Sequence, residues 1–425
     1  MKVTYYVNAM MLLEGRYSRV LCDPWVTFDN NSNSGLFNFP PTRLTRNEVR
    51  SIQPDFIHIT HTHADHLDPD TLRLFSRTTP CLIADYENNF TARTISKLGF
   101  TDIRVVDSEA GCPLNGSDHA WIQPSATYPE VDSIAGFQID GQTIVNANDN
   151  PFHEGQCQDL RAKMGEIDLG CVPFAFQGPY PAFYENLPLE EKAAEADKKK
   201  HRNYQHVSGY ARTLAPKHLF PFAAGALYGG QKALLFPYYG VGRAEEAVAI
   251  ARNASNFKAA FLSEGMSIEL PSGKINGTYV APTHENKIDY IKRIAARPSP
   301  FEQGGKFWID PEERIDLAPL LIKARERQDM WSKRTGRSSQ TVFYIDVGAK
   351  RLYRMKIGEP SVDRMLEAEI HDEAYEIFRV PYPLMVGLLT KHYNWSNVKT
   401  QFISFYRQPN HFDADLHILM SFLQL

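Results

Sequence analysis

Residues 55–72 read DFIHITHTHADHLDPDTL. The apolar run Phe56–Thr60 has the length and composition of a buried strand. Asp68 followed by Pro69 is the pattern that opens a helix, with a carboxylate at the N-cap and proline in the first turn. Between strand and helix stand His61, His63, Asp65 and His66. Residues two apart on extended backbone point the same way, so His61 and His63 can grip one ion. The chain then turns, and Asp65 and His66 can face a second ion. Neutral imidazole and carboxylate suit zinc, iron and manganese. Two such ions about 3.5–4 Å apart share a water and clamp both ends of a reacting group. Packing alone does not account for three histidines and an aspartate within six residues. His58, inside the strand, reads instead as a core residue or a support for the ligands.

Short strands alternate with turns on both sides of this stretch. VTYYVNAMMLLEG and RVLCDPW form a hairpin around Glu14–Gly15. PCLIAD, DIRVV, WIQPSA, GFQID and QTIVNA are further strands, with a helix before PCLIAD and another near 88–98. IDLGCVPFAF (167–176) and KHLFPFA are later strands. Residues 189–216 form the longest helix, closed by Ala215–Pro216, and 243–254 and 283–296 are helical. The Pro- and Gly-bearing segment 298–313 is the expected domain boundary. It divides a catalytic domain, 1–297, from a small α+β region, 298–425. That region opens with a charged helix over 311–334 and a strand pair in TVFYIDVGAKRLYRMKIG, then continues in helices.

The chain has 425 residues, a formal charge of −4, 43% hydrophobic residues and 23% charged. This is globular composition, with neither the basic excess nor the basic stripe of a nucleic-acid binder. Lys198–Lys200 reads as a solvated helix face. Cys22, Cys81, Cys112, Cys157 and Cys171 form no C-x-x-C pair, which fits a reduced, cytoplasmic protein. No segment has the roughly 20 apolar residues of a membrane span, and the N-terminus lacks the order of a signal peptide. Expected partners are a small-molecule substrate, and neither nucleic acid nor membrane. Oligomeric state is open.

H-x-H-x-D-H directly after a strand resembles the signature of the metallo-β-lactamase superfamily. The resemblance implies an α/β fold, the αββα sandwich, here with a C-terminal α+β extension. Asp23 in LCDPW matches the early aspartate that orients the ligand loop. Asp149 in TIVNANDNPF falls at the bridging carboxylate, and IDLGCVPF and APKHLFPFAAG match the two later strands. Two departures stand out. The third motif normally supplies a histidine, but ATYPEVDSIAGFQI offers Glu130 and Asp132. The last motif often ends in histidine, but Ala223 stands there. His153 and His206 are the histidines left to compensate, and each reads as an ordinary polar residue.

CDPW, ITHTHADHL, YPEVDS, VNANDN, GPYP (178–181), RNY (202–204) and PFAAG together resemble the lactamase-like portion of the CMP-N-acetylneuraminate hydroxylases. The likeness continues, with less distinctive motifs, through NWSNVKTQFISFYRQPNHFDADLHILMSF. Those hydroxylases carry an N-terminal Rieske domain. This sequence starts at the lactamase-like part and has no C-x-H pair, so a separate electron donor is expected. A more distant likeness is to the di-iron β-hydroxylase of chloramphenicol biosynthesis, where a carboxylate replaces the third-motif histidine.

The resemblance implies roles. His61, His63 and either Glu130 or Asp132 hold one ion, Asp65 and His66 hold the other, and Asp149 bridges them. Asp149 and Glu130 are the expected catalytic groups. Tyr128, Asn148 and Tyr180 lie beside the motif loops and are candidate substrate contacts, whereas FPYYG (236–240) is core or lid. Carboxylate-rich sites suit iron, which cycles its redox state, better than zinc. The leading expectation is a di-iron oxygenase or hydroxylase of a polar biosynthetic substrate, nucleotide-sugar-like in character. The alternatives are a zinc or manganese hydrolase of a lactone, ester, amide or phosphodiester, and a non-enzymatic module with a vestigial site.

Overall fold

A computed structural model describes the chain except residues 31, 33, 224, 255–257, 282, 298–313, 393–394, 396–401 and 424–425. The strands 56–58, 81–84 and 169–173 are apolar at every position but His58, so both faces must be covered. The architecture covers both. Among the described residues, one eight-stranded sheet runs Lys274–Asn276, Ser267–Glu269, Lys2–Val7, Met10–Glu14, Arg19–Cys22, Phe56–His58, Cys81–Ala84 and Ile103–Val106. A seven-stranded sheet runs Lys258–Ala259, His218–Phe222, Leu169–Pro173, Gln142–Asn146, Ser133–Ile139, His119–Pro124 and Cys112–Pro113.

Alternate side chains sort onto the two faces of each sheet. Met11, Leu13, Cys22, Phe56 and Leu82 of the first sheet meet Ala135, Phe137, Ile144, Leu169 and Phe220 of the second. Their neighbours Met10, Leu12, Leu21, Ile57 and Ile83 point outward, under helices Arg46–Ser51 and Phe90–Lys97. Ile134, Val145, Val172 and Leu219 point outward from the second sheet, under helices Glu154–Met164, Leu189–Leu214 and Ala244–Ala254. The layers are α, β, β, α. All the strand-end loops that carry the sequence motifs leave the sheets on one side.

The hairpin around Glu14–Gly15 is present, but a second one precedes it: Lys2–Val7 turns back into Met10–Glu14 at Asn8, whose φ is 51°. The helix ahead of PCLIAD is only the single turn Pro69–Leu72. The long helix ends as expected, with Ala215 in the left-handed conformation. Lys198 and Lys200 pair with Glu195 and Asp197 along that helix.

The C-terminal region departs further from expectation. Its helix Ala318–Thr335 leads into a five-stranded sheet ordered Asp363–Met365, Leu352–Met355, Val342–Asp346, Tyr375–Arg379 and Ser404–Gln408. YEIFR and SFYRQ are therefore strands where the sequence reads as helix. Each buries a charged residue, Glu376 and Arg407, which disguises its apolar face. The boundary segment 298–313 lies outside the described residues. Across it the core is continuous: Trp25, Phe39, Ala64, Phe183 and Tyr184 share one cluster with Phe343, Phe378, Leu388 and Phe405. No helix among the described residues is long and apolar enough to cross a membrane.

Candidate metal centre

The site grows from two adjacent parallel strand ends, where Cys22 and His58 pair in register. Asp23 follows with φ 43° and is fully buried. Its carboxylate accepts Thr60 N and Thr60 Oγ1, both at 2.8 Å, and lies 3.0 Å from His66 Nδ1. A carboxylate there fixes the proton on Nδ1 and turns the Nε2 lone pair outward, the usual orientation of a metal-bound histidine. Nε2 is buried, makes no hydrogen bond among the described residues, and stands 3.3 Å from Asp149 Oδ2 and 3.7 Å from Asp65 Oδ2.

His61 sits beside it, the ring centroids 4.1 Å apart. His61 Nδ1 is 3.0 Å from Thr60 Oγ1 and 3.5 Å from Asp132 Oδ1, while Nε2 is 2.8 Å from His63 Nδ1. Two imidazole nitrogens this close share one proton or one cation. Ligand atoms of His61, His66 and Asp149 all fall within 4.8 Å of one another.

The electrostatics match the geometry. Burial alone would depress His66, but Asp149, Asp23 and Asp65 overcome it and hold its pKa well above the ordinary value. Burial, with Asp149 adding, pushes the Asp132 carboxyl well up. Carboxylates crowded in a buried site favour a bound cation, and an aimed, unbonded imidazole nitrogen is a ligand position. The residues present therefore fit a metal.

A supporting layer holds the loops. Tyr86 Oη and Ser133 Oγ donate to Thr60 O at 2.6 and 2.7 Å. Asn8 Nδ2 donates to Asp65 O at 3.2 Å, and Asn8 Oδ1 accepts Gly225 N at 3.1 Å. The turn at Asn8 thus clips the last motif to the first. Tyr210 Oη donates to Asn150 O at 2.7 Å. His58 lies below the site, neither ring nitrogen hydrogen-bonded among the described residues, edge-on to Phe137, and burial lowers its pKa to about 4. It is a neutral core residue.

No family model matches the chain. A putative Rieske iron–sulfur protein of Mycolicibacterium smegmatis is 26% identical over 230 residues, covering 52% of this chain and 43% of that one. The cytidine monophosphate-N-acetylneuraminic acid hydroxylase of Danio rerio is 26% identical over 234 residues, covering 52% of this chain and 37% of that one. The matches span less than half the length of these relatives. Among solved structures, CmlA, a diiron β-hydroxylase from Streptomyces venezuelae, superposes with a TM-score of 0.42 at 15% identity, over 63% of this chain and 54% of that one.

The chain is a four-layer αββα sandwich, the architecture expected from the order of its motifs.

On that fold the structure gathers His61, His66 and Asp149, with His63, Asp65 and Asp132 beside them. Glu130 is placed differently. It is paired with Arg327 of the C-terminal region and accepts Asn88 N at 3.3 Å, which leaves Asp132 as the carboxylate next to His61. Three expected substrate contacts are also placed away from that role. Asn148 is fully buried, with φ 37°, and it braces the loop by donating to Ser133 O and accepting Asp149 N. Tyr180 is in the core, its hydroxyl 2.8 Å from Glu195. Tyr128 packs against the Trp331–Phe422 cluster, and burial raises its pKa to about 12. Of FPYYG, Tyr239 is buried core.

His153 caps helix Glu154–Met164, and His206 accepts Phe152 N at 3.1 Å, so neither replaces the missing histidines. Ala223 lies in the core between the sheets. Tyr228, five residues further on, is buried, and its phenol sits in the field of Asp65 and Asp149. Thr60, Tyr86, Ser133, Asn8 and Tyr228 escape sequence reasoning. Thr60 and Ser133 alone carry a signal, since they stand inside the motifs ITHTHADHL and YPEVDS.

Proposed function

We propose that this chain is a dinuclear-metal enzyme, a non-haem di-iron oxygenase that hydroxylates a polar, nucleotide-sugar-like biosynthetic substrate. The observation that carries the reading is the donor set. Asp65, Asp132 and Asp149 stand among His61, His63 and His66, so oxygen donors equal nitrogen donors in number. Hard oxygen donors favour iron and manganese. His61, His63 and Asp132 would hold one ion, Asp65 and His66 the other, and Asp149 would lie between.

Two bound irons would supply redox activation of dioxygen, with electrons from a separate donor. The chain's own residues do the rest. Asp23 holds the His66 proton on Nδ1. Thr60, braced by Tyr86 and Ser133, fixes the two histidines flanking it in space. Asp149 keeps 30% of its side chain exposed, more than Asp65, Asp132 or Asp23, and is the carboxylate of the set most open to a substrate.

The test is metal analysis of protein purified without added metal, with visible spectra before and after anaerobic reduction. Two irons per chain and a reducible chromophore are expected. Two zincs and no chromophore would overturn the oxygenase reading in favour of a hydrolase acting on a lactone, ester, amide or phosphodiester.

A further inference from the structure

The Arg327–Glu130 pair joins the C-terminal region to the loop that carries Asp132. Glu130 also accepts Asn88 N, and Asn88 Oδ1 accepts Arg93 Nη2 at 2.7 Å. Arg334, about two helix turns beyond Arg327, pairs with Glu87. Lys391, just past helix Tyr382–Leu389 and itself in a left-handed conformation, lies in the field of Arg327, Arg93 and Glu130. Four cations from three elements therefore meet two carboxylates. Each carboxylate is already engaged by an arginine.

We propose that Arg93, Arg327 and Lys391 form an oxyanion-binding rim at the metal centre, which takes a phosphate or carboxylate group of the substrate. This rests on the reading of the centre given above and adds the substrate's charge to it. Mutual neutralisation is the competing explanation, and two observations oppose it. Arg327 Nε is buried and makes no hydrogen bond among the described residues, a donor still open to an acceptor. Lys391 is held down to about 8, first by burial and then by Arg327 and Arg93, with Glu130 only partly opposing them. Arg93, Arg327 and Lys391 gather about the single carboxylate of Glu130, which leaves a surplus of positive charge that a ligand oxyanion relieves.

The placement suits a substrate. Asn88 and Glu87 follow the strand end at Ala84, and Glu130 precedes Asp132 by two residues, so the rim borders the ligand loops. Guanidinium groups bind such oxyanions through paired, charge-assisted hydrogen bonds.

The experiment is calorimetric titration of the metal-loaded protein with inorganic phosphate and, separately, acetate, for wild type, Lys391→Gln and Arg93→Gln. Neither residue is a proposed metal ligand, and neither holds one of the carboxylates, so both variants should fold and keep their metal. Saturable binding of one anion is expected, weakened about tenfold in each variant, the size of one charge-assisted contact. The anion that binds identifies the group. Binding unchanged in both variants would mean that the anion sits on the metals alone, and would overturn the rim. Failure of wild type to bind either anion would overturn it as well. Metal content measured on the same samples reports separately on the metal reading: zinc in place of iron would defeat the oxygenase without touching the rim.

Discussion

Asp23 takes three hydrogen bonds on two oxygens in complete burial, and its removal is a question about a proton. In Asp23→Asn the amide oxygen can still accept Thr60 N. The amide NH2 then faces Thr60 Oγ1 and His66 Nδ1. His66 must present a lone pair at Nδ1 and carry its proton on Nε2, the nitrogen that faces Asp149 and Asp65. Metal affinity should fall by about 10–100-fold, as for other outer partners of metal-bound histidines. Chelator competition reads this, with circular dichroism to establish that the fold is kept. Unchanged affinity would reduce Asp23 to a packing residue. At this scale the sequence was informative where candidate ligands are contiguous. His61, His63, Asp65 and His66 share one loop, so their spacing alone brings them together. The choice between Glu130 and Asp132 was not legible, because it depends on Arg327, nearly 200 residues away in sequence, drawing Glu130 aside. Asn148 misled for a related reason: a polar residue beside a ligand reads as a substrate contact, while its role is to satisfy the backbone of its own loop.

Helix Leu189–Leu214 reaches the site through a gap in its surface. A Cβ on Gly209 would stand 2.5 Å from the Phe152 ring. That ring is not free to retreat, since Phe152 N is bonded to His206 and the ring lies edge-on to Tyr210, which in turn holds Asn150 O. Gly209→Ala gains about 1 kcal/mol of helix propensity. Overpacking against a constrained ring costs about 1–3 kcal/mol. The prediction is a net loss of stability in urea melts together with weaker metal binding, because the displaced segment ends at Asp149. A rise in stability with metal binding intact would show that Phe152 moves aside freely. Elements of the αββα layers were legible because their strands are apolar on both faces and their helices carry capping residues. The strands Tyr375–Arg379 and Ser404–Gln408 were not, because a buried ion pair interrupts the apolar alternation on which a strand reading depends.

That ion pair decides how the whole molecule behaves. Arg407 and Glu376 pair with 3% and 5% of their side chains exposed, and Tyr184 Oη donates to Glu376 at 2.9 Å. Burial raises the Glu376 carboxyl even against the opposing pull of Arg407. Tyr184 belongs to the N-terminal part of the chain, where Glu185 N and Phe183 O exchange hydrogen bonds with Phe405 at 2.7 and 3.0 Å. The edge strand of the C-terminal sheet is thus fastened to the part of the chain that holds the candidate metal centre by backbone, ring stacking and charge together. Arg407→Met removes one partner and leaves a buried carboxylate, which typically costs about 3–5 kcal/mol. Arg407→Met with Glu376→Leu removes both charges and should recover most of that loss. Because the core runs unbroken between the two regions, the single variant should lower one cooperative transition. Calorimetry and metal release, followed on the same sample, should then move together. Two separated transitions, with metal release following only the upper one, would instead mean that the C-terminal sheet melts by itself and that the shared core does not couple the regions.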